Sequence, residues 1–206
     1  MNAMIRLATP ADADVIAAIY GPYCEQTAVS FEIIAPSTED MRERIKAITE
    51  QFPWLVLEDD GRILGYAYAS SHRERLAYGW SVDSTVYIEA GHHRQGIGRA
   101  LYTMLFRLLR LQGFFKVFAG IALPNPASVG LHVSVGFHLV GVYRGVGYKN
   151  GVWHDVSWYQ LALQPEQPYP ASPQPITALS VPQWQEAITQ ALPCYRPRPP
   201  AGRPVK

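Results

Sequence analysis

The chain is 206 residues long and 48% hydrophobic, which favours one domain with a single core of ordinary size. Its 18 basic and 17 acidic residues give a formal net charge of +1, so the chain has no excess positive field to hold nucleic acid or an anionic membrane. Its two cysteines, Cys24 and Cys194, are too few for a disulfide framework and too far apart for a metal-ligand spacing, so we expect no metal and a cytoplasmic location.

The first part of the chain predicts a strand followed by two helices. Residues 4–7 alternate as in a short strand and lack the apolar core of a signal peptide. No apolar run in the chain approaches the roughly 18 residues that a membrane span needs. A helix should open after the N-cap Thr9 and end at the Gly-Pro pair at 21–22. A second helix should follow a cap at Ser37 or Thr38.

The middle of the chain alternates predicted strands and helices. Strand patterns at 54–57 and 63–69 flank a glycine-bearing turn, which indicates an antiparallel hairpin. A strand at 84–89 precedes a glycine-bearing loop and a long helix at 98–112. The remaining predicted elements are the strand 116–121, the helix 127–135 and the strands 137–143 and 153–163. This order of elements predicts a mixed α/β (α+β) fold.

The composition changes after residue 163, where prolines arrive in quick succession. We therefore predict a domain at 1–163 and a proline-rich C-terminal extension at 164–206 that lies outside the core. Residues 180–192 carry apolar side chains along one side, which predicts a short helix able to dock on this subunit or on a neighbour. A mostly disordered tail is the alternative.

The glycine-bearing loop has the residues of an anion site. A strand at 85–88 runs into the sequence H-R-Q-G-I-G at 93–98, which opens the long helix. Backbone N–H groups at close-set glycines and in the first helical turn can converge on a diphosphate, and Arg94 and Arg99 can bond its oxygens. The loop lacks the Lys-Ser/Thr pair of a P-loop and the third glycine of a dinucleotide fingerprint, which disfavours both of those classes.

A second segment, N-P-A-S-V-G-L-H at 125–132 with Gly136-Phe137 after it, resembles, together with the loop, the GNAT superfamily of N-acetyltransferases. The resemblance implies the GNAT fold: a mixed, mostly antiparallel central sheet flanked by helices, with strands that splay around acetyl-CoA. It implies coenzyme contacts from Val86, Tyr87, Ile88, Arg94, Gln95, Gly96, Ile97, Gly98, Arg99, Asn125 and Ser128. His93 stands where the family has glutamine or arginine, and we assign it no role.

The family tyrosine that protonates the departing thiolate is replaced here by His132. An imidazole can also donate a proton near neutral pH, because its reference pKa of about 6.5 lets both forms coexist. The resemblance therefore implies His132 as the acid. A helix histidine that merely bonds a carbonyl is the alternative reading of this residue.

Four separated segments, at 52–56, 65–69, 84–88 and 153–156, are similar to the phosphinothricin and methionine sulfoximine acetyltransferase branch. That branch carries a glutamate just before its S-T-V-Y strand, where this chain has Asp83. The resemblance implies that Asp83 is the general base, acting through a water, because an amine must lose its proton before it attacks. An aspartate that caps a turn is the alternative.

An amino-acid-like acceptor presents a carboxylate beside its amine, so its pocket requires a fork-like cation and aromatic walls. The candidates are Phe31, Arg73, Arg75 and Tyr78. We expect acetyl transfer to an acceptor of the phosphinothricin, methionine sulfoximine or methionine sulfone type, by direct attack, in an enzyme that the branch implies is a homodimer. The alternatives are a protein N-terminus or a polyamine as acceptor, and a non-catalytic acyl-CoA sensor.

Overall fold

The computed structural model describes residues 2–197, which form one seven-stranded sheet with helices on both faces. The strands are β1 (Met4–Leu7), β2 (Trp54–Asp59), β3 (Arg62–Ser71), β4 (Ser81–Ile88), β5 (Lys116–Ala122), β6 (His138–Lys149) and β7 (Val152–Ala162). The helices are α1 (Ala13–Glu25), α2 (Thr38–Thr49), α3 (Ile97–Gln112), α4 (Pro126–Ser134) and α5 (Val181–Ala191). Within residues 2–197, no helix is both long and apolar enough to cross a membrane.

The sheet separates two apolar cores. The larger core holds α3, whose predicted inward residues Leu101, Leu105, Leu108 and Leu109 are fully buried. The smaller core lies on the other face, where side chains of α1 and α2 such as Ile16 and Ile45 pack on the sheet. Each helix therefore covers one face through a stripe of apolar side chains at helical spacing.

The predicted end of α1 at the Gly-Pro pair is wrong, because the helix continues to Glu25. Pro22 removes one N–H donor from the helix, but the following turn is held by contacts elsewhere in the molecule. Cys24 is fully buried, and the Tyr23 hydroxyl donates to the Ile88 carbonyl at 2.7 Å. Tertiary packing therefore outweighs the local break signal.

β4 and β6 depart most from the bounds that their sequence patterns predict. β4 begins at Ser81, so Asp83 lies inside the strand and not before it. β6 continues to Lys149 and turns directly into β7 through Asn150-Gly151, which have φ of 54° and 76°. Positive φ at both positions is the signature of a type I′ hairpin turn, for which Asn-Gly is the preferred pair.

The sheet opens between β4 and β5, which form its parallel pair in the order β1-β2-β3-β4-β5-β7-β6. Their register runs from Ser81 opposite Lys116 to Asp83 opposite Phe118. Beyond Asp83 the two strands separate, while β4 stays paired with β3 as far as Ile88. The rest of β4 consequently presents an unpaired backbone edge to the gap.

The extension joins the core, and the expectation that it lies outside is wrong over residues 176–195. Ile176, Ala187 and Ala191 are buried in the same cluster as α3. For the segment that α5 occupies, the sequence allowed either a short helix or a disordered tail, and the structure has the helix. It is amphipathic, and its apolar side packs on α3, which removes nonpolar surface of both helices from water. Residues 198–206 of the extension lie outside the described residues.

Candidate active site

The gap between β4 and β5 contains a cavity of about 80 Å³. It lies at the point where the two strands separate, and α3 and α4 close it on one side. Its lining includes the predicted residues Val86, Tyr87, Asn125, Ser128 and His132. The structure therefore brings together residues of β4 and α4 that are nearly 40 or more positions apart in the sequence.

The free edge of β4 supplies hydrogen-bond donors to this gap. The Glu89 N–H donates to the Leu64 carbonyl on the β3 side, at 2.9 Å. Because N–H groups alternate in direction along a strand, those of Val86 and Ile88 point towards β5, while that of Tyr87 points towards β3. Of these two neighbouring residues, Ile88 and not Tyr87 therefore points its N–H into the gap.

The glycine loop is folded as a set of backbone donors. Arg94 and Gly96 have left-handed φ of 63° and 78°, and the helix starts at Ile97. The N–H groups of the first turn of α3 have no acceptor inside the helix. At Gly98 a Cβ would lie 2.8 Å from a Leu131 side-chain carbon of α4, so the loop and α4 approach closely because this residue has no side chain. These donors and the free β4 edge fit the diphosphate and amide groups of a coenzyme.

The loop side chains take different positions. Arg94 and Arg99 are exposed, and Arg99 also donates to the Ser134 carbonyl at 3.2 Å. Gln95 is buried, so its side chain is not presented to a ligand from solution. His93 lies 3.1 Å from the Tyr23 hydroxyl, which itself donates to a carbonyl of β4. His93 is thereby tied to α1.

His132 lies in the gap with both ring nitrogens engaged. Its Nδ1 is 2.8 Å from the Ser128 carbonyl, which can only accept, and its Nε2 is 2.9 Å from the Tyr102 hydroxyl. Burial lowers the pKa of His132, although the bond to Ser128 partly offsets this. In the neutral ring the proton is therefore on Nδ1, and the Tyr102 hydroxyl donates to Nε2. The carbonyl-bonded histidine considered from the sequence matches these contacts.

Tyr102 was missed by sequence reasoning, which assigned it only to a helix. It is fully buried, lines the same cavity, and has a pKa that burial raises well above its usual range. Of Tyr102 and His132, it is the tyrosine whose hydroxyl proton can turn towards a ligand in the gap. Tyr102 lies in the second turn of α3, close after the glycine loop, and this position was the signal that could have identified it.

Asp83 forms a short contact with His72, a second residue that sequence reasoning missed. The His72 Nδ1 lies 2.7 Å from the Asp83 carboxylate, and the ring stacks on Phe118 at 4.3 Å. Burial raises the pKa of Asp83, and the hydrogen bond from His72 partly offsets the rise. The aspartate is thus a stronger base than a free carboxylate, and it is held by an oriented imidazole.

A cavity of about 570 Å³ is bordered by His72, the partner of Asp83. It is lined by Ser71, His72, Arg73, Glu74, Arg75 and Tyr78. The structure therefore brings three of the four predicted acceptor residues together beside His72. The Arg73 guanidinium is fixed over the Trp158 ring, 5.8 Å from its centroid.

Phe31, the fourth predicted acceptor residue, lines a separate cavity of about 420 Å³ on the same side of the sheet as Tyr87. The residues that this cavity shares with the gap between β4 and β5 are Val29, Thr85, Tyr87, Gly120 and Ala122. Burial raises the pKa of Tyr68 in its wall, and the Asp83 charge adds to the rise, so the carboxylate lies near. The cavity therefore shares part of its wall with the gap.

Glu32 lines the Phe31 cavity, but its charge is compensated. Arg44 binds both Glu32 oxygens, at 2.7 and 3.0 Å, and the Tyr20 hydroxyl donates to one of them at 3.0 Å. The bonds from Arg44 lower the pKa of Glu32. The cavity thus contains a carboxylate without presenting a net negative charge.

Buried Lys149 holds the loop that carries Phe31. Its Nζ donates to the carbonyls of Cys24, Ser30 and Glu32, at 2.5, 2.6 and 2.7 Å. All three protons of the ammonium are used, and the residue is 4% exposed. The end of β6 therefore fixes one wall of the Phe31 cavity.

Comparison with known proteins agrees with this architecture. A family model described as an acetyltransferase (GNAT) domain matches residues 5–158. The chain is 39% identical to the phosphinothricin N-acetyltransferase of Streptomyces viridochromogenes, over 84% of this chain and 92% of the relative. It is 32% identical to an L-methionine sulfoximine/L-methionine sulfone acetyltransferase of Salmonella typhimurium, over 77% of this chain and 94% of the relative.

Among solved structures, a GNAT superfamily phosphinothricin acetyltransferase from Sinorhizobium meliloti in complex with acetyl-CoA is similar, with a TM-score of 0.75 and 34% identity. The match covers 79% of this chain and 89% of that one.

A sheet that opens beside a glycine loop is the architecture of an N-acetyltransferase that uses acetyl-CoA, and the chain belongs to the GNAT family of these enzymes. Within the family it falls in the phosphinothricin and methionine sulfoximine acetyltransferase branch. The fold, the acetyl-CoA co-substrate and the enzyme class predicted from the sequence are confirmed.

Proposed function

We propose that this enzyme acetylates the amino group of a small amino-acid-like acceptor of the phosphinothricin, methionine sulfoximine or methionine sulfone type. The observation that carries the proposal is the cavity that presents Arg73, Arg75 and Tyr78 beside the His72–Asp83 pair. A guanidinium can bind a carboxylate or a tetrahedral oxyacid in a fork, while the base nearby serves the amine of the same molecule.

The acceptor amine loses its proton to Asp83, directly or through one water. Bound acetyl-CoA supplies a thioester carbonyl carbon, and the neutral amine attacks that carbon without an enzyme-bound intermediate. His72 keeps the carboxylate oriented, and the Ile88 N–H stabilises the developing oxyanion. A new C–N bond forms, the C–S bond breaks, and the sulfur leaves with its electron pair.

The departing sulfur needs a proton, and Tyr102 is the donor in this proposal. Its hydroxyl turns from the His132 Nε2 towards the gap and protonates the sulfur, and the resulting tyrosinate regains a proton from the nitrogen of the tetrahedral adduct, which must lose one as the amide forms. The His132 Nε2, which carries no proton, again accepts a hydrogen bond from the restored hydroxyl. His132, which the resemblance implies as the acid, thus acts behind Tyr102. Asn125 and Ser128 remain coenzyme-binding residues because they border the same cavity.

We also propose that the enzyme is a homodimer, with one interface on the β6–β7 hairpin. β6 is an edge strand, and the hairpin that it forms with β7 carries exposed apolar residues. They are Leu139, Val140, Tyr143, Val146, Tyr148, Val152 and Trp153. Contiguous apolar residues of this kind are typical of an interaction surface. A cytoplasmic location and a domain boundary at residue 163 stay predictions.

A thiol-release screen tests the acceptor. Acetyl-CoA is incubated with phosphinothricin, methionine sulfoximine, methionine sulfone, a polyamine and an N-terminal peptide, and free thiol is measured over time. We expect the amino-acid analogues to have the highest kcat/KM. A polyamine is disfavoured because the lining of the His72 cavity holds two arginines against one glutamate. Preference for the peptide or polyamine would refute the acceptor, and coenzyme binding without turnover would indicate a sensor.

A further inference from the structure

The C-terminal extension reaches the coenzyme loop. After α5, residues 192–196, which we call the strap, run along α3 to its N-terminus. The Arg196 N–H donates to the Gln95 carbonyl at 2.8 Å, a backbone bond between the strap and the glycine loop. The family match ends at residue 158, so the strap lies beyond the segment that defines the family.

The contact is close and depends on a glycine. A Cβ added at Gly96 would lie 1.9 Å from the Cys194 carbonyl oxygen and 3.5 Å from the Tyr195 Cα. Gly96 also has a φ of 78°, which side-chain-bearing residues rarely adopt. The absence of a side chain at Gly96 therefore permits both the left-handed turn of the loop and the close approach of the strap.

The strap is anchored at Tyr195, and α5, which precedes it, is anchored on α3. The Tyr195 ring is 9% exposed, and its hydroxyl donates to the Asp59 carboxylate at 3.0 Å. Upstream, Arg107 of α3 donates to Gln190 at 2.6 Å and pairs with Glu186, both of α5. The strap is thus a fixed element and not a loose tail against the loop.

The strap and the coenzyme gap lie on opposite sides of the loop. Asp59 ends β2, which is two strands from β4 on the side away from β5. Gly98, in contrast, contacts Leu131 of α4, whose other residues line the gap. The strap therefore supports the loop from behind and leaves the donor side open.

We propose that the strap positions the glycine loop for the diphosphate of coenzyme A, so that coenzyme affinity depends on the hydrogen bond from Arg196 to Gln95. The inference rests on the proposed role of the loop as the diphosphate site. Arg196 is a positioning residue: it acts through the loop backbone and touches no substrate.

The test compares Arg196→Pro with Arg196→Ala. Both variants lose the guanidinium, but only proline loses the N–H. Tyr195 has φ of −79° and ψ of 134°, an extended conformation that a following proline favours. Calorimetry with coenzyme A should give Arg196→Ala an affinity within about twofold of the native enzyme. Arg196→Pro should bind about three- to tenfold more weakly, the range for losing one hydrogen bond.

Steady-state kinetics separates positioning from general destabilisation. The KM for acetyl-CoA should rise in Arg196→Pro while the KM for the acceptor and the melting temperature stay near those of Arg196→Ala. Equal affinities of the two variants would overturn the role of the strap, as would a rise in both KM values. If the native enzyme binds no coenzyme A, the proposed function of the loop fails instead. Tyr195→Phe, which keeps the ring but loses the bond to Asp59, should weaken coenzyme binding to a smaller extent.

Discussion

At the scale of single residues, Asp83 stands where the branch has a glutamate, and a histidine contacts this aspartate. An aspartate is one methylene shorter than a glutamate, and in this chain the His72 imidazole holds it at 2.7 Å. The pair combines a carboxylate whose pKa burial raises with a partner that limits the rise. The geometry thereby keeps a short side chain available as a base near neutral pH.

Asp83→Asn should lower kcat/KM at pH 7 by about 10²- to 10⁴-fold, the usual contribution of a general base. The loss should shrink at high pH, where the amine deprotonates without help. Measurement of kcat/KM from pH 6 to pH 10 checks both expectations. Asp14→Asn, at an exposed carboxylate of α1, is the control. A pH profile parallel to that of the native enzyme would exclude Asp83 as the base.

His72→Phe keeps an aromatic ring against Phe118 and removes the bond to Asp83. Because that bond lowers the pKa of Asp83, its loss should raise this pKa further. Activity requires the carboxylate without its proton, so the acid limb of the pH profile should move to higher pH. An unchanged acid limb would show that His72 does not tune the base.

Tyr102→Phe should reduce kcat by about ten- to a hundredfold with little change in either KM, because the proton for the departing sulfur is lost. It also leaves the His132 Nε2 without its partner, at a cost of about 1–3 kcal/mol in the free energy of unfolding. Tyr159→Phe, at another buried tyrosine, is the control. An unaltered kcat would reduce Tyr102 to a packing role.

At the scale of elements, the acceptor side depends on a contact between the end of β6 and the loop after α1. Lys149→Met should leave three carbonyls without a donor and lower the free energy of unfolding by about 3 kcal/mol or more. The KM for the acceptor should rise more than the KM for acetyl-CoA, because this loop carries Phe31. Lys46→Met, on the exposed side of α2, is the control. Equal rises in both KM values would contradict a local effect.

The helices and strands with local signals were predictable, and the remainder depends on distant contacts. The cap at Ser37 and the apolar stripe of α3 are encoded within a few residues of each element. The continuation of α1 past Pro22 depends on packing that the sequence pattern does not contain. The extra length of β6 had a usable signal, because Asn150-Gly151 is the preferred pair for a tight hairpin turn.

The residues of the candidate site likewise fall into those that local motifs indicate and those that depend on distant contacts. Motif positions located Asp83, His132 and the glycine loop, since these lie in continuous segments. His72 and Tyr102 were not found, because their contacts depend on the β3–β4 register and on the angle between α3 and α4. The contact of the strap with the loop joins positions about a hundred residues apart, which composition alone cannot indicate.

At the scale of the whole molecule, the exposed hairpin face predicts self-association. Trp153→Glu should convert a dimer into a monomer in sedimentation experiments, because it buries a charge in an apolar interface. Tyr169→Glu, at a fully exposed aromatic residue of the extension, is the control and should remain dimeric. A native enzyme that sediments as a monomer at micromolar concentration would refute the interface.

The opening between β4 and β5 joins cavities on the two faces of the sheet through shared residues such as Thr85 and Gly120. The coenzyme and an acceptor that reaches the gap can therefore be bound at the same time. The kinetic scheme should accordingly be a sequential one, in which both ligands are present together before any product leaves.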